Sequence, residues 1–314
     1  MTLPLSLTAF IASVLLLYVG SKKVVHAAGR LAASLNFHRV VVGTVFVASV
    51  TSAPELFSSL IAAFYSSSQM AFGNIIGSNI YNIPLIVGIC GLIREFKIKN
   101  STISRECIFM IGLCILLVLL TSTTGLVTWW MGLVFLAFYP AFIYHSIRKG
   151  NGKGNTDEKS GENPYKSAAL MIVGGSALIA GTFLLVFSAT KMAAAFGLTE
   201  FNAGLTIMAL GCVVPETAVS VAAAVHGEQE ISIGNAIGDN IITLTLVLGL
   251  VGLFKNPIRV SLYEVFSTTP FMILVTLALF IMNRQKHRIT RAWSIFMLII
   301  AAFAFTYALL NNIL

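Results

Sequence analysis

The stretch GNIIGSNIYNIPLIVGICGL, residues 73–92, has a counterpart 161 residues further along the chain, GNAIGDNIITLTLVLGLVGL, residues 234–253. The segments that precede them, GTVFVASVTSAPE (43–55) and GLTIMALGCVVPE (204–216), match at the same offset without a gap. Identical residues stand in both copies at positions Gly43, Ala48, Pro54, Glu55, Ser59, Gly73, Asn74, Gly77, Asn79, Gly88 and Gly91 of the first copy. The chain therefore contains two copies of one unit.

The composition is that of a protein embedded in a lipid bilayer. Only 10% of the 314 residues are charged and 57% are hydrophobic, whereas a soluble domain carries about 25% charged residues. Apolar runs of roughly 20 residues, the length that crosses a bilayer, recur along the chain. Basic residues that flank these runs account for the net charge of +8, so we expect no nucleic-acid partner. The four cysteines lie in apolar runs without metal-binding spacing, so neither a disulfide nor a zinc site is predicted.

The apolar runs predict an all-α integral membrane protein with ten transmembrane helices. The predicted limits are 3–33, 38–65, 69–93, 104–122, 126–147, 167–196, 201–226, 230–254, 262–283 and 290–312. The first and sixth helices are long enough to cross the membrane strongly tilted. Each copy of the repeated unit therefore contains five helices.

An odd number of helices in each copy means that the two copies enter the membrane from opposite sides. The predicted domains are a first five-helix repeat (1–148), a polar linker (149–166) and a second five-helix repeat (167–314). Inverted-topology repeats are typical of secondary transporters, whose substrate site lies near the midplane of the membrane where the repeats meet.

The basic residues predict the orientation of the chain. Seventeen of the 20 lysines and arginines fall on one side of the predicted helices, and only Lys191, Lys255 and Arg259 fall on the other. Because the side rich in lysine and arginine faces the cytoplasm, we expect a multi-pass protein of the cell membrane with both termini outside. The linker 149–166 then lies in the cytoplasm.

Three of the twelve acidic residues, Glu55, Glu216 and Asp239, fall inside predicted helices, and the other nine are assigned to loops or helix ends. An acid at the centre of a bilayer costs roughly 2.5–3.5 kcal/mol. No lysine or arginine is predicted at a comparable depth, and a buried acid without a basic partner is usually protonated or bound to a cation. A role in capping a broken helix is the structural alternative, which the repeated position of Glu55 and Glu216 disfavours.

A proline precedes each of the two repeated glutamates. Because proline has no N–H group, Pro54 leaves the carbonyl of Val50, and Pro215 that of Gly211, without a helical partner. We expect both helices to break at these prolines, with the freed carbonyl oxygens facing a polar cavity. Carbonyl and carboxylate oxygens that converge on one point suit a hard cation such as Ca²⁺. Thr51 and Ser52 add hydroxyl oxygens in the first repeat.

The GNxxGxN segments are predicted to form the opposite wall of the site. Their glycines, Gly73, Gly77, Gly234 and Gly238, permit close helix approach, and a role in packing alone is equally compatible with the pattern. Asn74 and Asn235 are polar at membrane depth and can brace the broken helices. The pairs Ser78 with Asn82 and Asp239 with Thr243 are each spaced i, i+4, so each pair shares a helix face that can point to the acids.

With TSAPE and GCVVPE paired to GNIIGSNIYN and GNAIGDNIIT, the chain resembles the sodium/calcium exchanger family of the calcium/cation antiporter superfamily in a minimal prokaryotic form. The resemblance covers both repeats. It implies an antiporter that exchanges Ca²⁺ for Na⁺ by alternating access, with the first and sixth helices sliding against the other eight. No cofactor and no obligate protein partner are expected beyond the two transported ions and the lipid bilayer.

The resemblance also implies the ligands of the transported ions. Those implied for Ca²⁺ are Glu55, Glu216, Thr51 and the main-chain carbonyls near Ala48 and Ala209. Those implied for Na⁺ in the first repeat are Ser52, Ser78 and Asn82.

The second repeat departs from the family pattern at four positions. Cys212 and Val213 replace the usual threonine and serine, Asp239 replaces a small hydroxyl residue, and Thr243 replaces the usual aspartate. One carboxylate has thus moved about a turn along its helix. We expect Val213 to weaken a sodium site and Asp239 either to compensate for that loss or to carry a proton.

Three other functions are alternatives to Na⁺-driven exchange. A Ca²⁺/H⁺ antiporter could use the buried carboxylates as proton carriers. A passive cation channel usually places identical subunits around one pore, which an inverted repeat within one chain disfavours. An intramembrane aspartyl protease needs two catalytic aspartates and a GxGD motif, whereas only Asp239 is predicted inside the membrane, in the context AIGDN. We therefore expect a transporter and not an enzyme.

Overall fold

A computed structural model describes residues 3–33, 42–97, 101–149, 164–227, 229–254, 257–285 and 288–310. The α-helices are α1 (Leu3–Ala33), α2 (Ala48–Thr51), α3 (Ala53–Ile61), α4 (Ser68–Ile93), α5 (Ser101–Thr124), α6 (Trp129–Lys149), α7 (Pro164–Phe196), α8 (Glu200–Ala203), α9 (Ala209–Val225), α10 (Gln229–Ile242), α11 (Leu248–Phe254), α12 (Leu262–Gln285) and α13 (Arg291–Leu310). The π-helical segments are Val42–Val47, Ala62–Ser66, Gly204–Met208 and Thr243–Val247. The strands are β1 (Phe96–Lys97), β2 (Leu126–Val127), β3 (Ile258–Arg259) and β4 (Arg288–Ile289).

Within these ranges, nine helical stretches are long and apolar enough to cross a membrane. They confirm nine of the ten predicted helices, with ends that differ from the prediction by three residues at most. The remaining prediction, 38–65, is helical over its described part, 42–65, but divided into shorter segments. Residues 38–41 lie outside the described residues. The protein is an all-α membrane protein built from two five-helix repeats of inverted topology.

The first repeat breaks its second membrane helix at the position that the sequence indicates. Ser52 separates α2 from α3 with a ψ angle of −1°, far from the value of about −42° found in an α-helix. Pro54 lies in the first turn of α3, where the N–H that proline lacks would have no helical partner in any case. Backbone hydrogen bonds of 2.9 Å from Ser52 to Ala48 and from Leu56 to Ser52 still span the junction, so the break is a local distortion that sets Glu55 in the first turn of α3.

The predicted break at Pro215 is wrong. Helix α9 runs from Ala209 to Val225 without interruption, and the departure from α-helical geometry lies just before it, in the π-helical segment Gly204–Met208. A proline removes one hydrogen bond from a helix, and the bonds on either side can hold the helix together. Pro84 also lies inside a continuous helix, α4. The two repeats thus share a proline and an acid but not the backbone break.

Two short β-ribbons join the repeats at their ends. Strand β1 of the first repeat pairs antiparallel with β4 of the second, and β2 pairs with β3. Strand β3 has the same position in the second repeat as β1 has in the first. The two ribbons are therefore related by the same pseudo-two-fold axis as the repeats. An ion pair of 2.6 Å between Arg288 and Glu95 accompanies the first ribbon.

Glycines let the helices of one repeat lie directly on the backbone of the other. A Cβ atom at Gly77 would overlap the carbonyl of Leu205, and a Cβ atom at Gly238 would overlap the carbonyl of Thr44. Leu205 and Thr44 are counterparts at the offset of 161 residues, as are the two glycines. The same close contact is therefore made twice and confirms the predicted close approach.

We expect Gly73→Ala to destabilise the folded protein by about 1–3 kcal/mol, the usual cost of overpacking. A Cβ atom at Gly73 would overlap the carbonyl of Phe201 and lie 2.8 Å from the backbone nitrogen of Leu205. Gly112→Ala is the matched control, because a Cβ atom there meets nothing within 4 Å. Thermal unfolding in detergent should show a lower midpoint for Gly73→Ala alone. Equal midpoints for the two variants would contradict the close approach.

The two longest helices, α1 and α7, make the most extensive helix–helix contact in the described structure. They contain 31 and 33 residues, which at 1.5 Å per residue gives lengths of about 46 and 50 Å. Both exceed the hydrocarbon core of about 30 Å. They are the first and sixth predicted membrane helices, and they pack as a pair.

Candidate cation site

The three predicted intramembrane acids meet at one point. Glu55, Glu216 and Asp239 come from α3, α9 and α10, and each side chain is at most 2% exposed. One oxygen of each carboxylate lies within 4.8 Å of the others. Three oxygens within that limit share a centre at most about 2.8 Å from each, close to the Ca²⁺–oxygen distance of about 2.3–2.6 Å. The arrangement can bind a divalent cation after a small adjustment of the side chains.

No positive side chain shares this depth in the described structure. The lysine and arginine side chains that it describes are all at least partly exposed. Two carboxylate charges no more than 4.8 Å apart repel each other by at least about 3.5 kcal/mol at an effective dielectric constant of about 20. Three ionised carboxylates therefore need a cation between them, and protonation is the alternative way to remove the repulsion.

Asp239 is bound to the first repeat through both of its carboxylate oxygens. Its Oδ1 contacts the hydroxyl of Ser52, and its Oδ2 accepts a hydrogen bond of 2.7 Å from Nδ2 of Asn82. The hydroxyl of Ser52 also contacts the carbonyl of Ala48 at 2.7 Å. The structure thus brings together three of the predicted site residues, Ser52, Asn82 and Asp239, from both repeats.

The two glutamates differ from Asp239 because most of their oxygens have no hydrogen-bond donor. Both carboxylate oxygens of Glu55 and Oε2 of Glu216 are buried without a partner in the described structure. The other oxygen of Glu216 accepts a hydrogen bond of 3.1 Å from Nδ2 of Asn235. A buried polar atom without a partner is rare and usually marks a functional site or a missing ion.

Two asparagines brace the site in equivalent ways, as the sequence predicts. Asn74 donates a hydrogen bond of 2.9 Å to the hydroxyl of Ser59, and Asn235 donates one of 2.9 Å to that of Ser220. The four residues form two counterpart pairs at the offset of 161 residues. In each repeat the asparagine ties its own helix to the helix that carries the glutamate.

The replacement of threonine by Cys212 makes the two repeats unequal. Thr51 contacts Oδ1 of Asn235 at 2.9 Å. Its counterpart Cys212 instead lies 3.2 Å from the hydroxyl of Ser58, and Oδ1 of Asn74 is left without a partner. Ser58 is a contact residue that the sequence analysis missed. Its position three residues after Glu55, on the same helix face, was the available signal.

The pole opposite Asp239 consists of neutral residues. Val213, Ser78 and Thr243 are the counterparts of Ser52, Asp239 and Asn82 at the offset of 161 residues. All three are fully buried, and the hydroxyls of Ser78 and Thr243 have no hydrogen-bond partner in the described structure. One pole therefore has a hydrogen-bonded carboxylate, and the other has two unpartnered hydroxyl oxygens.

The two alanines whose carbonyls were predicted to contribute lie in different surroundings. The Ala48 carbonyl already contacts the N–H of Ser52 at 2.9 Å and the hydroxyls of Ser52 and Thr51 at 2.7 and 3.3 Å. Ala209 is fully buried and packs against Gly77: a Cβ atom added at Gly77 would lie only 2.6 Å from the Cβ of Ala209. The contribution of both carbonyls to ion binding stays a prediction.

One buried acid lies outside this cluster. Glu106 stands near the start of α5, in keeping with its assignment to a helix end, but its side chain is only 5% exposed, which the sequence did not indicate. It follows Arg105 and stands close to the basic end of α5, which makes it resemble an interfacial residue in the sequence.

Comparison with known proteins places these features in a family. The sequence profile described as sodium/calcium exchanger protein matches residues 5–148 and 166–310. The CaxA protein of Alkalimonas amylolytica is 31% identical over 285 residues, covering 88% of this chain and 89% of that protein. The sodium/calcium exchanger MaX1 of Methanosarcina acetivorans is 28% identical over 303 residues, with coverages of 83% and 86%.

The fold is also similar to solved structures. A structure of the sodium-calcium exchanger NCX_Mj, soaked with 10 mM Na⁺ and zero Ca²⁺, superposes with a TM-score of 0.73 at 25% sequence identity. The match covers 97% of this chain and 99% of NCX_Mj. These similarities agree with the two repeats and with the buried acids where the repeats meet. They show that the chain is a membrane antiporter that belongs to the sodium/calcium exchanger family.

Proposed function

We propose that this protein exchanges Ca²⁺ for Na⁺ across the cell membrane, with Glu55 and Glu216 as the main Ca²⁺ ligands. The observation that carries the proposal is the set of three buried carboxylate oxygens, two on Glu55 and one on Glu216, that have no hydrogen-bond donor. They belong to a cluster of three acids within 4.8 Å, which suits a hard cation with oxygen ligands. Thr51 and the carbonyls near Ala48 and Ala209 complete the proposed Ca²⁺ site, whereas Cys212, the counterpart of Thr51, contributes a thiol that is a poor ligand for a hard cation.

The coupling ions would occupy the two poles on either side of the calcium site. One pole has Ser52, Asn82 and Asp239, and the other has the unpartnered hydroxyls of Ser78 and Thr243. Hydroxyl, amide and carboxylate oxygens are ligands that Na⁺ accepts as a hard cation. The names of MaX1 and NCX_Mj as sodium/calcium exchangers support Na⁺ as the coupling ion.

Alternating access would come from movement of the long pair α1 and α7 against the other helices. Their lengths and their mutual packing support this role. The β-ribbons and the glycine contacts join the remaining helices of the two repeats into one body. In this proposal the repeats are 1–148 and 167–314, both termini lie outside, and the linker between them is cytoplasmic.

The proposal is tested in proteoliposomes that contain the purified protein. Ca²⁺ uptake is followed under an outward Na⁺ gradient at equal pH on both sides, and separately under a pH gradient without Na⁺. Na⁺-driven exchange predicts saturable uptake in the first condition and none in the second. No effect of Na⁺ at constant pH would refute it, and flux without any counter-ion would indicate a channel.

One contact favours Ca²⁺/H⁺ exchange as the second candidate. The Ser52 hydroxyl has a single hydrogen but contacts both the Ala48 carbonyl and the Asp239 carboxylate. Ser52 can therefore donate to an ionised Asp239, or accept from a protonated Asp239 while donating to Ala48. Because the same geometry fits both protonation states, Asp239 could carry a proton with little rearrangement. Uptake driven by the pH gradient alone, and lost in Asp239→Asn, would establish this alternative.

A further inference from the structure

A second candidate site lies outside the cation site, between α5 and α6. These helices enclose a cavity of about 350 Å³ lined by Arg105, Glu106, Phe109, Phe138, Ala141, Phe142, His145 and Ser146. Both helices are peripheral, since only 33% of the apolar stretch Ile103–Thr124 and 28% of Trp129–Arg148 is buried in the protein. Ala141 and His145 are exposed, so the cavity opens toward the surrounding lipid.

Glu106 is poorly satisfied by the protein that surrounds it. Its Oε1 has a contact of 3.5 Å with the Ser146 hydroxyl, longer than the usual O–H···O distance of about 2.5–3.0 Å. Its Oε2 is buried and has no hydrogen-bond partner. Among the described side chains, Glu106 is the one buried acid outside the cation site. A ligand that donates a hydrogen bond into this cavity would satisfy it.

The other walls of the cavity restrict the class of ligand. Phe109 stacks on Phe142 with ring centroids 6.1 Å apart and meets Phe138 edge-on at 5.9 Å. Aromatic rings beside a carboxylate suit a molecule with an apolar part that packs on the rings and an N–H donor that reaches the carboxylate. Arg105 lies within electrostatic range of Glu106 and also lines the cavity, so an anionic group next to the ligand's cation would be matched as well.

We propose that this cavity binds a phospholipid with a primary ammonium in its headgroup, of the phosphatidylethanolamine type. The ammonium donates to Glu106, the phosphate lies toward Arg105, and the glycerol and first acyl carbons lie against the phenylalanines. A choline headgroup has no N–H and cannot satisfy the free oxygen of Glu106. The site concerns lipid binding and does not depend on which ions the protein exchanges.

The depth of Glu106 in the membrane fits this ligand. Glu106 lies three residues inside the apolar window that begins at Ile103, which is about 5 Å at 1.5 Å per residue. That depth is near the boundary between the headgroups and the hydrocarbon core, since the headgroup region on each side is only about 5–8 Å thick. Free amines in water would have to cross the headgroup layer, whereas a lipid is already there.

The test is native mass spectrometry of the full-length protein in detergent with equal amounts of phosphatidylethanolamine and phosphatidylcholine of the same acyl chains. We expect the protein to retain about tenfold more phosphatidylethanolamine, the ratio given by one charge-assisted hydrogen bond of about 1.4 kcal/mol. Glu106→Gln should reduce the ratio to about one. Glu264→Gln, at the start of α12, should leave it unchanged. Equal retention by the wild type, or a preference that survives Glu106→Gln, would overturn the proposal.

A second pair of variants keeps the test decisive if Glu106→Gln is poorly folded. Ala141→Trp fills the cavity and leaves Glu106 in place, so it should lower phosphatidylethanolamine retention to the level of phosphatidylcholine. Ala137→Trp is its matched control, because Ala137 is also exposed on α6 but does not line the cavity. The same retention in both tryptophan variants would place the bound lipid elsewhere and refute the site.

Discussion

Glu55→Gln, or Glu216→Gln, should abolish Ca²⁺ transport by the reconstituted protein. Each substitution keeps the size of the side chain but removes a negative charge from the cluster of three acids. Glutamine also leaves its amide N–H groups facing the remaining carboxylates, where they cannot bind a cation. Removing one partner of a buried charge pair costs about 3–5 kcal/mol, which corresponds to a loss of Ca²⁺ affinity of about 100-fold or more.

The measurement is Ca²⁺ uptake into proteoliposomes under an imposed Na⁺ gradient, together with Ca²⁺ binding to the purified protein. Glu230→Gln serves as the control, because Glu230 lies in the first turn of α10 and is partly exposed. It should transport as the wild type does. Ca²⁺ uptake at the wild-type rate in either glutamate variant would remove the proposed site from the mechanism.

The two glutamates do not have the same surroundings, so their variants should differ in stability. Glu55 has no hydrogen-bond donor on either oxygen, whereas Glu216 accepts from Asn235. Glu55→Gln therefore removes an unsatisfied charge and loses no contact, while Glu216→Gln weakens a hydrogen bond that braces two helices. We expect the thermal midpoint without Ca²⁺ to be at least as high in Glu55→Gln as in the wild type, and lower in Glu216→Gln.

Features that depend on local pattern and on the repeat could be predicted from the sequence. Helix limits follow from apolar runs, and the pairing of Glu55 with Glu216 follows from their equal position in two inverted copies. Once two such copies are superposed about a pseudo-two-fold axis, equivalent residues near the axis must face each other. This is why the three acids could be expected at one point, and the structure places them within 4.8 Å.

Features that depend on the choice between competing partners could not be predicted. Pro54 and Pro215 both precede a repeated glutamate, yet only the first repeat departs from helical geometry near its proline, at Ser52. Ser52 makes hydroxyl contacts to Ala48 and Asp239 that its counterpart Val213 cannot make. The burial of Glu106 could not be predicted for a similar reason, since Glu106 contacts Ser146 of a neighbouring helix, α6.

The displaced carboxylate of the second repeat should control the coupling ion more than it controls calcium. Asp239 is held by Ser52 and Asn82, on a pole that we propose for the coupling ion, while the unpartnered carboxylate oxygens of the cluster lie on the glutamates. Asp239→Ser removes the charge of that pole and leaves both glutamates. We expect the Na⁺ concentration for half-maximal exchange to rise by about tenfold, equivalent to about 1.4 kcal/mol, with the corresponding Ca²⁺ concentration changed much less.

A double variant can then test whether the position of the acid matters or only its presence. Asp239→Ser combined with Thr243→Asp moves the carboxylate four residues along the chain, about 6 Å along the helix axis. Thr243 is the first residue of the π-helical segment that follows α10 and is fully buried. Since that is the arrangement implied by the family resemblance, we expect it to restore part of the Na⁺ dependence lost in Asp239→Ser.

The outcomes separate the roles of charge, proton and position. Asp239→Asn keeps the shape of the side chain and an oxygen that can accept from Ser52, so it isolates the charge. If Na⁺ and Ca²⁺ dependence change equally in all three variants, Asp239 acts on the whole cluster and not on the coupling ion. If only the asparagine and serine variants lose exchange driven by pH, Asp239 carries the proton. If the double variant regains Na⁺ dependence, a carboxylate at position 243 can replace that of Asp239. The two positions are then alternative locations for the acid that binds the coupling ion.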